Sequence, residues 1–133
     1  MMSIRRVGMS STTADMIKVV VHDMSRCLIV PIQEELSVDD AKRVQEVILE
    51  KLGSNHVMGV VIDFSGVDIV DSSLWDVFIK SSNMVKVMGS RAALTGLSPG
   101  IIASMIDSNL ETSDLSTKRS MEEALDYFRT YEN

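Results

Sequence analysis

The chain has 133 residues, 45% of them hydrophobic and 24% charged, the size and balance of one globular domain that buries roughly two-thirds of its unfolded surface. Its formal charge of −6 argues against nucleic acid as a partner, because phosphate-backbone binders concentrate Lys and Arg to displace counterions. The single cysteine, Cys27, excludes an intrachain disulfide, and no apolar run reaches the ~20 residues of a membrane helix.

Cys27 lies within the apolar run CLIV and reads as a buried, inert thiol in a reducing compartment. The N-terminus carries basic residues but lacks the apolar core of a signal peptide, so a cytoplasmic protein without membrane contact is expected. Residues 1–15 are polar, small and unpatterned, which predicts a flexible tail ahead of a single domain over 16–133.

IKVVVHD and RCLIVPIQ read as strands, and the few residues DMS between them leave room only for an antiparallel hairpin. Pro31 cannot donate to a ladder, which points to an edge or a bulge. From Ser37 the period changes: Val38, Ala41, Gln45, Ile48 and Leu52 share one side of an amphipathic helix. Ser37 and Asp40 form a loose capping box at its start, and Gly53 stands as its stop. VMGVVIDF is apolar on successive residues, as in a central strand covered on both faces.

A second helix is predicted from about Ser73 to Met88, stopped by Gly89, followed by a short strand in RAALTGL. Ser98 and Pro99 open a third helix to about Ser108, as cap and first helical residue. Between Leu110 and Arg119 the pattern supports a loop with one short strand around Asp114 to Ser116. SMEEALDYF then opens on a capping box, Ser120 with Glu123, and gives a last helix. The order ββαβαβα(β)α describes an α/β protein, a mixed sheet with helices on at least one face.

Chemistry-bearing motifs are few. His22 and His56 lack the paired spacing of zinc ligands, and there is no nucleophile elbow, P-loop or dinucleotide turn, so no metal, no cofactor and no enzyme activity are expected. Asp63 closes an apolar strand where the phosphate acceptor of a receiver domain sits. A receiver, however, runs from its first strand directly into a helix, whereas here the first two strands are joined tightly and Asp23 alone stands for the expected acidic pair.

Asp71, Ser72 and Ser73 sit between the central strand and the second helix. Ser73 with Asp76 makes S-x-x-D, so Ser73 reads as the N-cap and Ser72 as the residue outside it. A functional reading stands beside this: a phosphate on either hydroxyl would meet free N–H groups and the positive end of the helix dipole. At 100° per residue Leu74, Val77, Phe78, Ser81, Met84, Val85 and Met88 share the core side, with Asp76, Lys80 and Asn83 opposite. Trp75, Ile79, Ser82 and Lys86 form a flank that a neighbouring loop could bury or a partner could cover. Trp75 and Ile79 are the partner-contact candidates, since Trp is enriched at interfaces.

Over IDFSGVDIVDSSLWDVFIKSSNMVKVMGSRAALTGLSP the chain resembles the STAS domain, the family of anti-sigma-factor antagonists, and most closely stressosome subunits of the RsbS type. The motifs that carry the resemblance are D-x-S-G-V at the strand end, V-D-S before the helix, then M-G and L-T-G-L-x-P. It implies a mixed four- to five-stranded sheet with about four helices packed mainly on one side. It also implies a non-catalytic regulator whose V-D-[ST] loop is phosphorylated by a serine/threonine switch kinase. V-D-S falls on Val70, Asp71 and Ser72, which selects Ser72 as acceptor. The D-S-S-G branch of the family would select Ser73, but Leu74 replaces its glycine here, so Ser73 is the second choice. Asp71 and Asp76 then form the phosphosite environment, and Trp75 stands where the RsbS pattern has a small residue. The implied partners are the switch kinase, a phosphatase and paralogous STAS scaffold subunits in an oligomer or hetero-assembly. A free antagonist that binds an anti-sigma kinase directly is the alternative, and a receiver at Asp63 is the third reading.

Overall fold

The computed structural model describes residues 2–6, 18–22, 26–33, 36–54, 56–107 and 116–130. Along the chain these form β1 (Met2–Arg6), β2 (Lys18–His22), β3 (Cys27–Pro31), α1 (Val38–Ser54), β4 (Gly59–Asp63) and α2 (Ser72–Val87). β5 (Arg91–Thr95), α3 (Pro99–Asp107), β6 (Thr117–Lys118) and α4 (Met121–Thr130) follow. One mixed sheet has the order β1-β2-β3-β4-β5-β6, antiparallel through β3 and parallel from β3 to β6. Because each parallel crossover steps one place in the same direction, right-handed connections bring α1, α2 and α3 to one face.

Strand alternation divides the core in two. Leu28, Val30, Val60, Ile62, Ala92 and Leu94 point to the three-helix face and join the larger cluster with Ala41, Val47, Ile48, Trp75, Phe78 and Ile101. Cys27, Ile29, Val61 and Ala93 point to the other face, where Ala124 and Phe128 of α4 cover them. β4 is thus apolar on successive residues because both of its faces are covered.

The α/β class, the β2–β3 hairpin and the central position of β4 agree with the sequence reading. The expected tail needs correction: Met2–Arg6 is a strand, in register with β2 from Met2↔His22 to Arg6↔Lys18. The outer edge of β2 offers the backbone groups of this segment a ladder. With β1 and the two-residue β6 the sheet has six strands. Residues 7–15 of the expected tail, the 23–25 turn and the segment 108–115 lie outside the described residues; β6 lies just beyond the short strand expected around Asp114 to Ser116.

Pro31 does not mark an edge of the sheet. The β2 ladder stops at Val20↔Ile29, so the missing N–H of Pro31 falls past it, while on the other side Pro31 stays in register with Asp63. The predicted helix starts are realised as side-chain caps. The Ser37 N–H donates to Asp40 Oδ2 at 3.2 Å and the Asp40 N–H to Ser37 Oγ at 3.1 Å. Ser98 Oγ accepts from the Ile101 N–H at 3.2 Å, and Ser120 Oγ from the Glu123 N–H at 3.2 Å. Gly53 does not stop α1, which continues to Ser54.

The faces of α2 also differ from the single stripe expected. Trp75, Val77, Phe78, Ile79, Ser81, Ser82 and Val85 are all buried, whereas Met84 and Met88 are 38% and 46% exposed. α2 is the middle helix of its layer and touches both α1 and α3, so its flanks are covered along with the side facing the sheet. Among the buried polar groups, Ser81 Oγ donates to the Val77 carbonyl at 2.8 Å and accepts from Gln45 Nε2 at 3.0 Å, which explains both polar residues at the α1–α2 contact.

Candidate functional site

The connection from β4 to α2 lies at the carboxyl ends of the parallel strands, where open α/β sheets place their sites. Its first anchor is Asp63. Asp63 Oδ1 accepts from Thr95 Oγ1 at 2.7 Å and from Ser65 Oγ at 2.8 Å, while the Phe64 N–H donates to the Thr95 carbonyl at 2.8 Å. Gly96 turns beside this brace at φ +68°, and a Cβ there would meet the Ser65 side chain and, at 2.8 Å, the Ser65 backbone N. Asp63 is therefore a brace between neighbouring strands. The receiver reading fails on topology, since a receiver sheet is parallel throughout and here β1, β2 and β3 are antiparallel neighbours.

Beyond the brace, Val67 and Val70 are buried and hold the loop down, and Ser98 Oγ ties it to the start of α3 by donating to the Asp68 carbonyl at 3.1 Å. Under the loop Phe64 packs edge-on against Trp75 and Phe78, with ring centroids 5.2 and 5.4 Å away. What remains outside is a short exposed arc of Asp68, Ile69, Asp71, Ser72 and Ser73. Ile69 is 75% exposed, an isolated apolar side chain in an otherwise polar stretch.

The N-cap of α2 is Asp71, not Ser73. Asp71 Oδ1 accepts from the Ser73 N–H at 3.0 Å, the Leu74 N–H at 3.1 Å and the Ser73 hydroxyl at 2.6 Å. The chain offers three consecutive residues of near-equal capping strength, and the first of them takes the position. Ser72 and Ser73 consequently belong to the first turn. The Ser73 hydroxyl, followed by the Leu74 N–H, holds the Asp71 carboxyl below the usual carboxylate range. The Ser72 hydroxyl makes no hydrogen bond among the described residues. Asp76 sits one turn on and pairs with Lys80 at 3.0 Å, so part of its charge is already answered.

Trp75 and Ile79 are not surface contacts. They are 0% and 8% exposed, whereas Ile69, Asp71 and Ser72 of the loop are exposed. The Trp75 Nε1–H is buried without a hydrogen-bond partner among the described residues. Sequence reading missed Asp71 as a cap, the Asp63–Thr95 brace and Ile69. The capping preference of Asp could have revealed the first, and no local signal marks the other two.

The family model described as the STAS domain matches residues 16–124. The RsbT co-antagonist protein RsbRA of Bacillus subtilis (strain 168) is 23% identical over 123 residues, covering 92% of this chain and 43% of that protein. The chain thus spans less than half the length of the curated relatives it matches. Among solved structures, RsbS of Moorella thermoacetica, carrying a serine-to-glutamate substitution, superposes with a TM-score of 0.75 at 23% identity over 86% of this chain and 95% of that one. The anti-sigma factor antagonist SpoIIAA in its unphosphorylated form gives 0.63 at 19% identity over 80% and 91%. At these identities the structural likenesses establish the fold. With the family model spanning most of the chain, the conclusion is that this protein belongs to the STAS domain family.

Proposed function

We propose that this protein is a phosphorylation-switched interaction subunit. Unmodified, it holds a serine/threonine switch kinase in a stressosome-type complex with paralogous STAS scaffold subunits; modified on Ser72, it releases the kinase into a stress or sigma-factor pathway, and a phosphatase resets it. The observation that carries the reading is an exposed Ser72 hydroxyl, unengaged by any described residue, in the first turn of α2 beside the exposed Ile69. Phosphorylation adds about −1.5 to −2 charges next to Asp71, and the helix dipole offsets only ~0.3–1 kcal/mol of the resulting repulsion at an exposed terminus. A docked partner experiences the rest. A loss of ~1.4 kcal/mol already weakens binding tenfold, so release needs no rearrangement of the buried side of α2. Ile69 takes over the contact role first given to Trp75 and Ile79, because it is an exposed apolar side chain in the same loop as Ser72.

The direct test is mass spectrometry after incubation with ATP and a serine/threonine switch kinase. Phosphate on the loop serines supports the reading, and modification that persists in a Ser72→Ala, Ser73→Ala double variant rejects the site. The likeness to SpoIIAA, matched in both its unphosphorylated and its phosphorylated form, favours a second reading, a free antagonist that binds an anti-sigma kinase directly. Size-exclusion chromatography with a paralogous scaffold subunit separates the two, since the free antagonist forms no large particle.

A further inference from the structure

Two adjacent serines stand exposed in the first turn of α2, and a kinase that reaches one can reach the other. They differ in one respect. Asp71 Oδ1 accepts the Ser73 hydroxyl at 2.6 Å while also accepting the Ser73 and Leu74 N–H groups, and the Ser72 hydroxyl has no such bond. We infer that Asp71 is a specificity-determining residue that withholds Ser73 from phosphoryl transfer and directs the phosphate to Ser72. The inference rests on the switch reading above and specifies which hydroxyl it uses.

Transfer requires the serine Oγ to attack the γ-phosphorus of ATP, forming one O–P bond as the bond to the departing ADP breaks, with the hydroxyl proton passing to a base of the kinase. Ser73 would first have to leave its carboxylate acceptor. Asp71 does not substitute for the base, because an oxygen already accepting three donors, on a carboxyl held below its usual range, is a poor proton acceptor. The product is disfavoured as well. A phosphate on Ser73 Oγ would stand where the hydroxyl now contacts the Asp71 carboxylate, setting two anions in contact. Ser72 lies outside that contact.

The test compares site occupancy by fragment-resolved mass spectrometry, with ATP and a serine/threonine switch kinase, in the parent chain and in Asp71→Gly. Glycine keeps most of the N-cap preference and removes the carboxylate. The parent is expected to carry its phosphate on Ser72. In Asp71→Gly the Ser73 share should rise about fivefold, the scale of a screened charge contact at an exposed site. In a Ser72→Ala background, modification should be slow with Asp71 present and recover in Asp71→Gly. A second measurement needs no kinase: the Asp71 carboxyl carbon, titrated by NMR, should move up toward its ordinary value in Ser73→Ala and stay in place in Ser72→Ala. Phosphate on Ser73 in the parent, or a Ser73 share unchanged in Asp71→Gly, overturns the selection alone. Phosphate on neither serine in any chain overturns the switch reading and the selection with it.

Discussion

The two ends of α2 are closed by different means. At its N-terminus a side chain does the work: Asp71 takes the orphan N–H groups of Ser73 and Leu74, and the adjoining Ser72 and Ser73 are polar and exposed. At its C-terminus the backbone closes on itself. Gly89 turns at φ +92°, its N–H donates to the Lys86 carbonyl at 3.0 Å, and the Ser90 N–H donates to the Val85 carbonyl at 3.1 Å, the paired hydrogen bonds of a Schellman motif. Around that end Met84, Val87 and Met88 are exposed and, with Leu49, Lys80 and Asn83, line a groove of about 420 Å³. A terminus held by a charged side chain responds to added charge and to pH, whereas one held by chain geometry responds only to what occupies the turn. Ser72 and Ser73 sit at the responsive end.

That contrast can be broken most severely from beneath. Trp75→Ala removes the largest side chain packed under the loop and should cost about 3–5 kcal/mol in urea unfolding. Trp75→Phe should cost less than about 1.5 kcal/mol, because it keeps most of the volume and deletes a buried N–H that has no partner among the described residues. If Trp75 were instead a partner contact, the alanine variant would lose binding at unchanged stability. At the C-terminus, Gly89→Ala should cost about 1 kcal/mol in the same assay through the positive φ, independent of salt.

At the N-terminus the effect is smaller and follows pH. The Asp71 pKa is depressed from its ordinary 3.8 in the folded chain. Its contribution is therefore complete above that value and is lost as pH falls below it through the folded pKa. Asp71→Gly should flatten the acid limb of stability against pH, and Gly89→Ala should leave that limb parallel to the parent. The smallest expected change is Ser72→Ala, within about 0.5 kcal/mol of the parent, since its hydroxyl is exposed and unengaged among the described residues. A larger loss there would mean that the hydroxyl holds structure, and would count against its being kept for modification.

How much could be read in advance depends on how far apart the interacting residues lie. Ser37 with Asp40 and Ser120 with Glu123 are capping pairs three residues apart, and the structure forms both caps from the same side chains the sequence marks. The double-faced apolarity of β4 was legible because both sheet faces leave their mark on one run of residues. β1 was not, because a ladder on the edge of β2 is a backbone interaction that selects no particular side chain. The burial of Trp75 and Ile79 depends on α2 having helices on both flanks, which no helical periodicity encodes. At the site, the position of the serines was legible and their cap was not: Asp71 and Ser73 are near-equal candidates, and the loop geometry decides between them. The Asp63–Thr95 brace joins residues 32 apart and exists only once β4 and β5 are paired.

In this sheet every spatial neighbour is also the next strand in the chain. No strand has to wait for a later one to be threaded between two already placed, so the layer can be extended from one side as the polypeptide leaves the ribosome. Pairings between successive strands keep the loops to be closed short, which lowers the entropic barrier that slows most parallel sheets. The loop from β4 to α2 is then set in place before β6 and α4 are made.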